Sequence, residues 1–231
     1  MTEFLSTSAY FGSIVSLFTY FIGDYLKKKT KIALISPLLI SVAISIIVLI
    51  CLDIPYESYK NSTRFINNLL TPVTVCLAVP LYEKLQLLKK NKVAVLAGII
   101  SGIITSCVCI LLLALIFGLS NTEYVTLLPK SITTAIGVGL SEKLGGIPSI
   151  TAPLIVITGV MGGILAPVVF RILKISEPIA KGIALGTSAH AIGTSKAFEY
   201  GETEGAMGSL SIAVAGIITV IFAPLFASFI A

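Results

Sequence analysis

The sequence predicts an all-α integral membrane protein, a polytopic bundle of about seven or eight membrane segments. Three observations predict this fold. Of the 231 residues, 56% are hydrophobic and 12% are charged, whereas soluble domains average roughly 25% charged residues. Several apolar runs are long enough to cross about 30 Å of hydrocarbon as helices. Basic clusters follow the ends of these runs, which is where topology-setting charges lie in membrane proteins.

Four apolar segments lie in the first half of the chain. They run from Tyr10 to Leu26, from Ile32 to Leu52, from Phe65 to Tyr82 and from Val93 to Leu119. Pro72 and Pro80 interrupt the third segment, because a proline removes a helix hydrogen bond and clashes with the preceding turn. Lysine clusters at 27–31 and 84–92 follow the first and third segments. The positive-inside rule predicts that both clusters are cytoplasmic.

The second half contains two strong spans and one ambiguous segment. The strong spans run from Pro148 to Phe170 and from Met207 to Ile230. The segment from Leu127 to Gly146 is diluted by glycines, hydroxyl residues and Lys130. With eight simple crossings, Arg171 and the lysines that follow it would lie outside the cell, against the positive-inside rule. We therefore expect Leu127 to Gly146 to dip into the membrane and return, which leaves seven segments that cross.

The most unusual stretch is Gly186 to Glu204, with the sequence GTSAHAIGTSKAFEYGETE. It contains the only histidine of the chain and lies between two long apolar runs. A non-helical backbone at membrane depth must be buried in protein or line a wet cavity. The dense glycine, serine and threonine residues therefore predict a broken helix whose free amides face a small polar solute.

A weak internal repeat relates the two halves. A shift of 116 residues lays Thr71 on Thr187 and Glu83 on Glu199, and it preserves the order of segment types. Transporters are often built from two such halves, with solute bound where interrupted helices meet. We therefore predict a first repeat half over residues 1–119 and a second over residues 120–231, which together form one transmembrane domain with discontinuous helices.

Several classes of function are disfavoured by the composition. The net charge of +5 is carried by clusters near the ends of apolar runs, so no nucleic-acid partner is implied. The four cysteines lie in apolar stretches without metal-ligand spacing, and no other group of residues matches a metal site. No acid is placed to orient the single histidine beside a serine nucleophile. We expect no enzyme activity, no metal and no cofactor.

Two stretches, LLPKSITTAIGVGLSEKLGGIPSITA and KGIALGTSAHAIGTSKAFEYGETEGAMGSLS, resemble the signature regions of the CidB/LrgB family of bacterial membrane proteins. TPVTVCLAVPLYEK and IPYESY fit the same family, so the resemblance covers nearly the whole chain. It implies a multi-pass protein of the bacterial inner membrane beside a small holin-like partner of the CidA/LrgA type. Members of this family modulate autolysis and murein hydrolase export, and relatives move small carboxylates such as pyruvate, glycolate and glycerate. The resemblance also implies a repeat with crossed discontinuous helices.

If the solute is a small monocarboxylate, as the resemblance implies, helix-end amides and hydroxyl groups are suited to hold it. We predict the following substrate-binding residues: Thr71, Pro72, Thr74, Lys130, Ser131, Thr133, Thr134, Gly186, Thr187, Ser188, His190, Gly193, Thr194 and Ser195. The first three would form a broken helix that faces the stretch at 186–204. Lys130 is either the counter-charge of the carboxylate or a lysine that snorkels to water. The small residues of the stretch either bind solute or allow tight helix packing.

His190 and Glu199 are candidates for proton coupling. The ordinary pKa of histidine lies near neutrality, which suits His190 to carry a proton. A lone histidine can equally be a satisfied structural residue or a neutral hydrogen-bond donor to the solute. Glu199 lies near the end of the polar stretch, where a solvated loop is the competing interpretation.

The sequence thus favours an inner-membrane transporter of small carboxylates that works in the lipid bilayer with a CidA/LrgA-type partner. The alternative is an antiholin-like regulator of autolysis and murein hydrolase export that binds no solute of its own. The sequence leaves open which solute is carried, which ion is coupled, and whether the chain forms a homo-oligomer.

Overall fold

The computed structural model describes residues 8–30, 37–69, 72, 75–76 and 78–230. Over these ranges the chain is helical and contains no strand. Its internal contacts divide it into two compact units, Met1–Cys76 and Leu77–Ala231. These units are defined by contacts and not by repetition, so the predicted repeat halves 1–119 and 120–231 stay a prediction.

In the first unit a pair of antiparallel helices is joined by hydroxyl groups. The described helices are α1 (Phe11–Thr30), α2 (Pro37–Cys51), α3 (Tyr56–Ser62) and α4 (Arg64–Asn68). The Thr19 hydroxyl lies 2.9 Å from the Ser41 hydroxyl and 3.1 Å from that of Ser45. One turn further along α1, Gly23 packs directly on Pro37 at the start of α2. Such hydroxyl contacts hold apolar helices together where hydrophobic burial cannot.

The predicted segment from Phe65 to Tyr82 is not one continuous helix. Its described parts include α4 and α5 (Ala78–Glu83), and α6 (Leu85–Lys90) follows. Pro72 is described and exposed. Thr71 and Thr74 lie outside the described residues, so their predicted role is not addressed by the structure.

The second unit contains three helices that are long and apolar enough to cross a membrane. Its remaining elements are α7 (Lys92–Phe117), α8 (Asn121–Leu127), α9 (Thr134–Lys143), α10 (Pro148–Ile172), α11 (Pro178–Tyr200) and α12 (Glu202–Ala227). The candidate spans are α7, α10 and α12, with 26, 25 and 26 residues. At 1.5 Å per residue each reaches about 38 Å, which exceeds the hydrocarbon thickness. Among the described residues this is fewer than the seven or eight segments predicted, and that count is not confirmed.

Helix α11 is a hairpin and not a straight span. Its backbone leaves the helical region at Ala189 (φ −126°, ψ 16°) and His190 (φ 42°, ψ −133°). After this break the chain folds back, because Gly193 packs against the carbonyl of Leu185. Residues eight apart in a straight helix are separated by about 12 Å along the axis. The predicted break in the polar stretch is therefore present, and it reverses the chain.

The ends of α11 confirm the reversal. The Lys181 ammonium group lies 5.7 Å from the centroid of the Tyr200 ring, although 19 residues separate them. Helix α12 then packs against both halves of the hairpin. Its Gly208 contacts Gly186 of the first half and Thr194 of the second. Residues 178–200 thus start and finish at the same end of the unit.

The neighbouring long helices run in opposite directions along this hairpin. Helix α7 is parallel to the first half of α11, since Gly98 meets Ile183 and Gly102 meets Thr187. Helix α10 is parallel to the second half, since its Gly159 meets the His190 ring and its last turn stacks on Tyr200. Because the two halves are antiparallel, α7 and α10 are antiparallel as well.

The segment between α7 and α10 therefore returns to the side from which it starts. This segment contains α8 and α9, and its tip lies at residues 128–133. It corresponds to the re-entry predicted for Leu127 to Gly146. Helix α8 begins with a capping box, in which the Ser120 hydroxyl accepts from the Glu123 amide and the Glu123 carboxylate accepts from the Ser120 amide. Hydrogen bonds from the Ser120 hydroxyl and amide lower the pKa of Glu123 below its usual range.

Most basic residues of the second unit lie at one end, although Lys130 and Lys143 do not. Lys92 begins α7, while Arg171 and Lys174 lie at the end of α10. We call this the basic end, and the side where α8 begins the opposite end. By the positive-inside rule we expect the basic end to face the cytoplasm.

Candidate functional site

A cavity of about 1120 Å³ lies between α7, α10 and the first half of α11. Its wall is formed by Asn91, Ala94, Gly98, Ser101, Gly102, Thr105, Ser106, Cys109, Lys130, Ser131, Ile157, Thr158, Met161, Gly162, Glu177, Ile179, Ala180, Ile183, Ala184, Thr187 and Ser188. Asn91 and Glu177 precede the first residues of α7 and α11, so one limit of the cavity lies at the basic end. Its other limit lies near Cys109 and Lys130. The wall between these limits combines aliphatic side chains with glycine, serine and threonine residues, and the inner limit is polar.

One face of α7 supplies much of this wall. From Gly98 to Cys109 its lining residues recur three or four positions apart, which places them on one side of a helix. They are glycine, serine, threonine and cysteine, whereas the buried residues of the opposite face are mainly branched aliphatic side chains such as Ile99 and Ile103. The sequence predicts α7 only as an apolar span, and this face was not among the predicted site residues. The periodicity of its small residues is the signal that could have revealed it.

Lys130 lies at the inner limit of the cavity. Its ammonium group donates to the Ser131 hydroxyl at 3.0 Å and to the Ser106 hydroxyl at 3.5 Å. The two hydroxyls are themselves 3.3 Å apart. Ser106 stands 14 residues after the start of α7 and 11 before its end, so this group lies near the middle of a helix that can span the membrane. The re-entrant segment of α8 and α9 therefore brings Lys130 to about the middle of α7.

Thr187 brings a buried hydroxyl with no partner to the same place. Its side chain is 6% exposed, and its Oγ1 has no hydrogen-bond partner among the described residues. Thr187 also lines a void of about 10 Å³ beside Ser106, Ser131 and Thr219, which is about the room that one water needs. A buried hydroxyl without a partner costs about 1–3 kcal/mol. A polar ligand that supplies this partner would therefore remove that free-energy cost.

His190 fixes the tip of the α11 hairpin to α10. Its Nε2 donates to the Ile155 carbonyl at 2.8 Å, and the ring packs on Gly159, where a Cβ would lie 2.7 Å from Nε2. His190 is buried and is not part of the cavity wall. This contact corresponds to the interpretation of a satisfied structural histidine. Its role as a proton carrier stays a prediction without a contact that supports it.

The other predicted residues of α11 fall into two groups. Ser188 lines the cavity, and its hydroxyl donates to the Ala184 carbonyl at 2.6 Å. Gly186 and Gly193 serve close packing, against α12 and against the first half of the hairpin. Thr194 is buried without a hydrogen-bond partner for its hydroxyl among the described residues, but it faces α12 and not the cavity. Ser195 is exposed.

The remaining predicted residues lie apart from the cavity. Thr133 precedes the first residue of α9, and Thr134 is exposed in its first turn. Neither is part of the cavity wall. Glu199 forms an ion pair with Lys196 at 2.5 Å. The structure thus brings together Lys130, Ser131, Thr187 and Ser188 and leaves these others outside.

The charges around the site suit a small anion. None of the ion pairs found in the described part of the chain includes Lys130, and the described residues hold no metal-ligand cluster. Glu177 borders the cavity ten residues before Thr187 along α11, a rise of about 15 Å. One ammonium group with three nearby hydroxyls at membrane depth can therefore pair with a carboxylate and bond its further oxygens.

Comparison with known proteins gives one consistent result. The LrgB-like family matches residues 16–229. A protein of Bacillus mycoides (strain KBAB4) named "Antiholin-like protein LrgB" is 37% identical over 222 residues, which covers 96% of each chain. Proteins of the same name from Bacillus cereus (strain B4264) and Bacillus anthracis (strain CDC 684 / NRRL 3495) are 36% identical over the same share. No solved structure matches the chain.

Proposed function

The chain belongs to the LrgB-like family of membrane proteins, and from this premise we propose that it carries small carboxylates of the pyruvate or glycolate kind across the bacterial inner membrane. The observation that carries the proposal is the Lys130 ammonium group at mid-membrane depth, bordered by hydroxyls and a cavity. Family membership also agrees with the prediction that the chain is not an enzyme.

The chemistry of the inner limit supports an anion as the solute. A positive charge within a membrane segment is costly and marks a functional pathway by default. A carboxylate that pairs with Lys130 would offset this cost. The hydroxyls of Ser106 and Ser131 lie 3.3 Å apart, and Thr187 lines the same small void. Such hydroxyls can donate to carboxylate oxygens or bond a neighbouring hydroxyl or keto oxygen.

The two re-entrant segments support an alternating-access route. In this structure the cavity extends from the basic end to Lys130. Lys130 lies on the tip of the α8 and α9 segment beside buried Leu128 and Ile132, and the rest of this segment lies between Lys130 and the opposite end. Movement of this tip would open the site to the other side. A CidA/LrgA-type partner, or a second copy of the chain, is proposed to support that movement.

An antiholin-like regulator of autolysis and murein hydrolase export is the second candidate. The names of the relatives favour this function more directly than they favour transport. Under this hypothesis the chain controls a holin-like partner and moves no solute. The cavity would then be incidental, and changes at Lys130 would leave regulation intact.

Uptake measurements separate the two candidates. Proteoliposomes would hold the full chain, with or without the CidA/LrgA-type partner, and receive labelled pyruvate or glycolate. We expect saturable uptake that falls at least about tenfold in Lys130→Gln, because a hydrogen-bonded charge contact is worth about 1.5–3 kcal/mol. Lys143→Gln is the matched control, since Lys143 is exposed on the same re-entrant segment. No uptake of either acid, together with partner-dependent leakage, would refute transport and support the regulator.

A further inference from the structure

Lys130 is an unusual lysine because no ion pair to it is found among the residues that the structure describes. Its hydrogen-bond partners are two neutral hydroxyls, those of Ser106 and Ser131. It faces a cavity that reaches the basic end of the unit. The side chain therefore has a route to water on one side, and its positive charge near the middle of the membrane has no counter-charge among the described residues.

The titratable groups that face Lys130 do not supply a compensating charge. Helix α7 presents the thiols of Cys107 and Cys109, which are weak acids. The lining residues of α10 contain no titratable side chain. Helix α11 contributes only Glu177, about 15 Å away along the helix. Thr219 of α12, which borders the small void beside Ser131, is uncharged.

The protonation of this lysine is therefore tied to the occupancy of the site. An ammonium ion without a counter-ion is disfavoured at membrane depth. A carboxylate beside Lys130 favours the ammonium form, and by reciprocity a proton on Lys130 favours carboxylate binding. The same argument applies in reverse when the solute leaves, because the amine then loses the partner that holds its proton.

We infer that Lys130 is the proton-coupling residue of this protein, so that each carboxylate is bound and released together with one proton. The inference rests on the proposed function and adds the coupling ion and its carrier. One proton joins the Lys130 amine as the carboxylate binds, and the same proton leaves the ammonium group when the carboxylate departs. No bond to carbon forms or breaks.

His190 is less suited to this role, although its ordinary pKa lies nearer neutrality. Its Nε2 is engaged with the Ile155 carbonyl at 2.8 Å. The ring is packed against Gly159 and does not border the cavity. A proton on His190 would have no direct contact with a solute at Lys130.

The test uses the full chain in proteoliposomes with a pH-sensitive dye in the lumen. Labelled glycolate is supplied outside, and solute uptake and lumen acidification are recorded together. In the wild type we expect both, in equal amounts. Lys130→Arg keeps the positive charge but cannot lose its proton, so we expect it to bind glycolate in detergent and to lose both net uptake and acidification. Lys143→Gln should behave as wild type.

Each outcome separates this inference from the proposed function. No uptake of any small acid by the wild type overturns both. Uptake by the wild type without acidification overturns only the proton coupling. Lys130→Arg with wild-type uptake and acidification overturns the assignment of the proton to Lys130. Glycolate binding by Lys130→Arg, measured by calorimetry, shows that the variant is folded and that its loss concerns release.

Discussion

Replacement of Thr187 by valine should make the empty protein more stable while it weakens solute binding. The Thr187 hydroxyl is buried without a partner among the described residues, and such a group costs about 1–3 kcal/mol. Valine keeps the shape of the side chain and removes this cost. We therefore expect Thr187→Val to unfold at a higher temperature than the wild type when no solute is present.

The same substitution should lower the affinity for solute. A hydrogen bond to a charged group contributes about 1.5–3 kcal/mol, and each 1.4 kcal/mol corresponds to about a tenfold change in Kd. The expected loss is therefore about 10- to 150-fold. It would appear as a raised KM for glycolate uptake, and as a smaller increase in thermal stability when glycolate is added.

Thr194→Val is the matched control for this prediction. Thr194 is also buried, its hydroxyl likewise has no partner in the described part of the chain, and it packs on Gly208 away from the cavity. We expect Thr194→Val to gain stability to a similar extent and to keep the wild-type KM. The reasoning is refuted if Thr187→Val keeps the wild-type KM, or if Thr194→Val raises the KM as strongly.

Three further substitutions test other parts of the account. Gly102→Ala would place a methyl group 2.8 Å from the Thr187 methyl group, which is closer than normal contacts between carbon atoms. We therefore expect this variant to take up less glycolate. Gly139→Ala is the control and should keep the wild-type uptake, because its new methyl group meets no atom within 4 Å. His190→Ala removes the hydrogen bond from the ring to the Ile155 carbonyl of α10, so we expect a loss of about 1 kcal/mol in the free energy of unfolding. The proton-to-solute ratio of the remaining uptake should stay unchanged, and an altered ratio would assign the proton to His190. Glu123→Gln should lower the unfolding temperature at neutral pH but not in acid. The capping hydrogen bonds lower the pKa of Glu123, so their contribution to stability is present above the pKa of Glu123 in the unfolded chain and is lost as the pH falls through the lowered pKa of the folded state. An equal decrease in unfolding temperature at both pH values would contradict this.

Features set by local composition could be predicted from the sequence. Glycine, serine and threonine are dense around His190, and the break occurs at Ala189 and His190. The re-entry between α7 and α10 followed from charge, since Arg171 had to share a side with the earlier lysines. The break depends only on residues that are close in sequence, and the re-entry depends only on the number and position of charges at the ends of whole segments.

Features that depend on distant contacts could not be predicted. The partner of His190 is the Ile155 carbonyl, 35 residues away, and no local pattern indicates it. The orientation of the tip also decides which hydroxyls reach the cavity: that of Ser131 does, whereas Thr133 lies at the N-cap of α9 and is not part of the cavity wall. The reversal of α11 is a further example, because a break alone does not specify the direction in which the chain continues.

The polar face of α7 was missed for a different reason. Its overall composition is strongly apolar, which dominated the interpretation of the segment. The cavity residues from Gly98 to Cys109 occupy only one side of α7. A helix that packs closely against another helix through small residues has the same sequence pattern. Only the position of Lys130 beside Ser106 distinguishes a polar wall from a packing surface.

The most direct test of the proposed site uses Cys109, an exposed thiol in the cavity wall near Lys130. In a variant whose other three cysteines are replaced by serine or alanine, the rate of Cys109 modification by a charged, water-soluble thiol reagent would be measured with increasing glycolate. We predict that the reagent reacts from the basic end and that glycolate slows the reaction along a saturable curve, with a weaker effect in Lys130→Gln. An unchanged rate at saturating glycolate and pyruvate would contradict the claim that a small carboxylate occupies the cavity at Lys130.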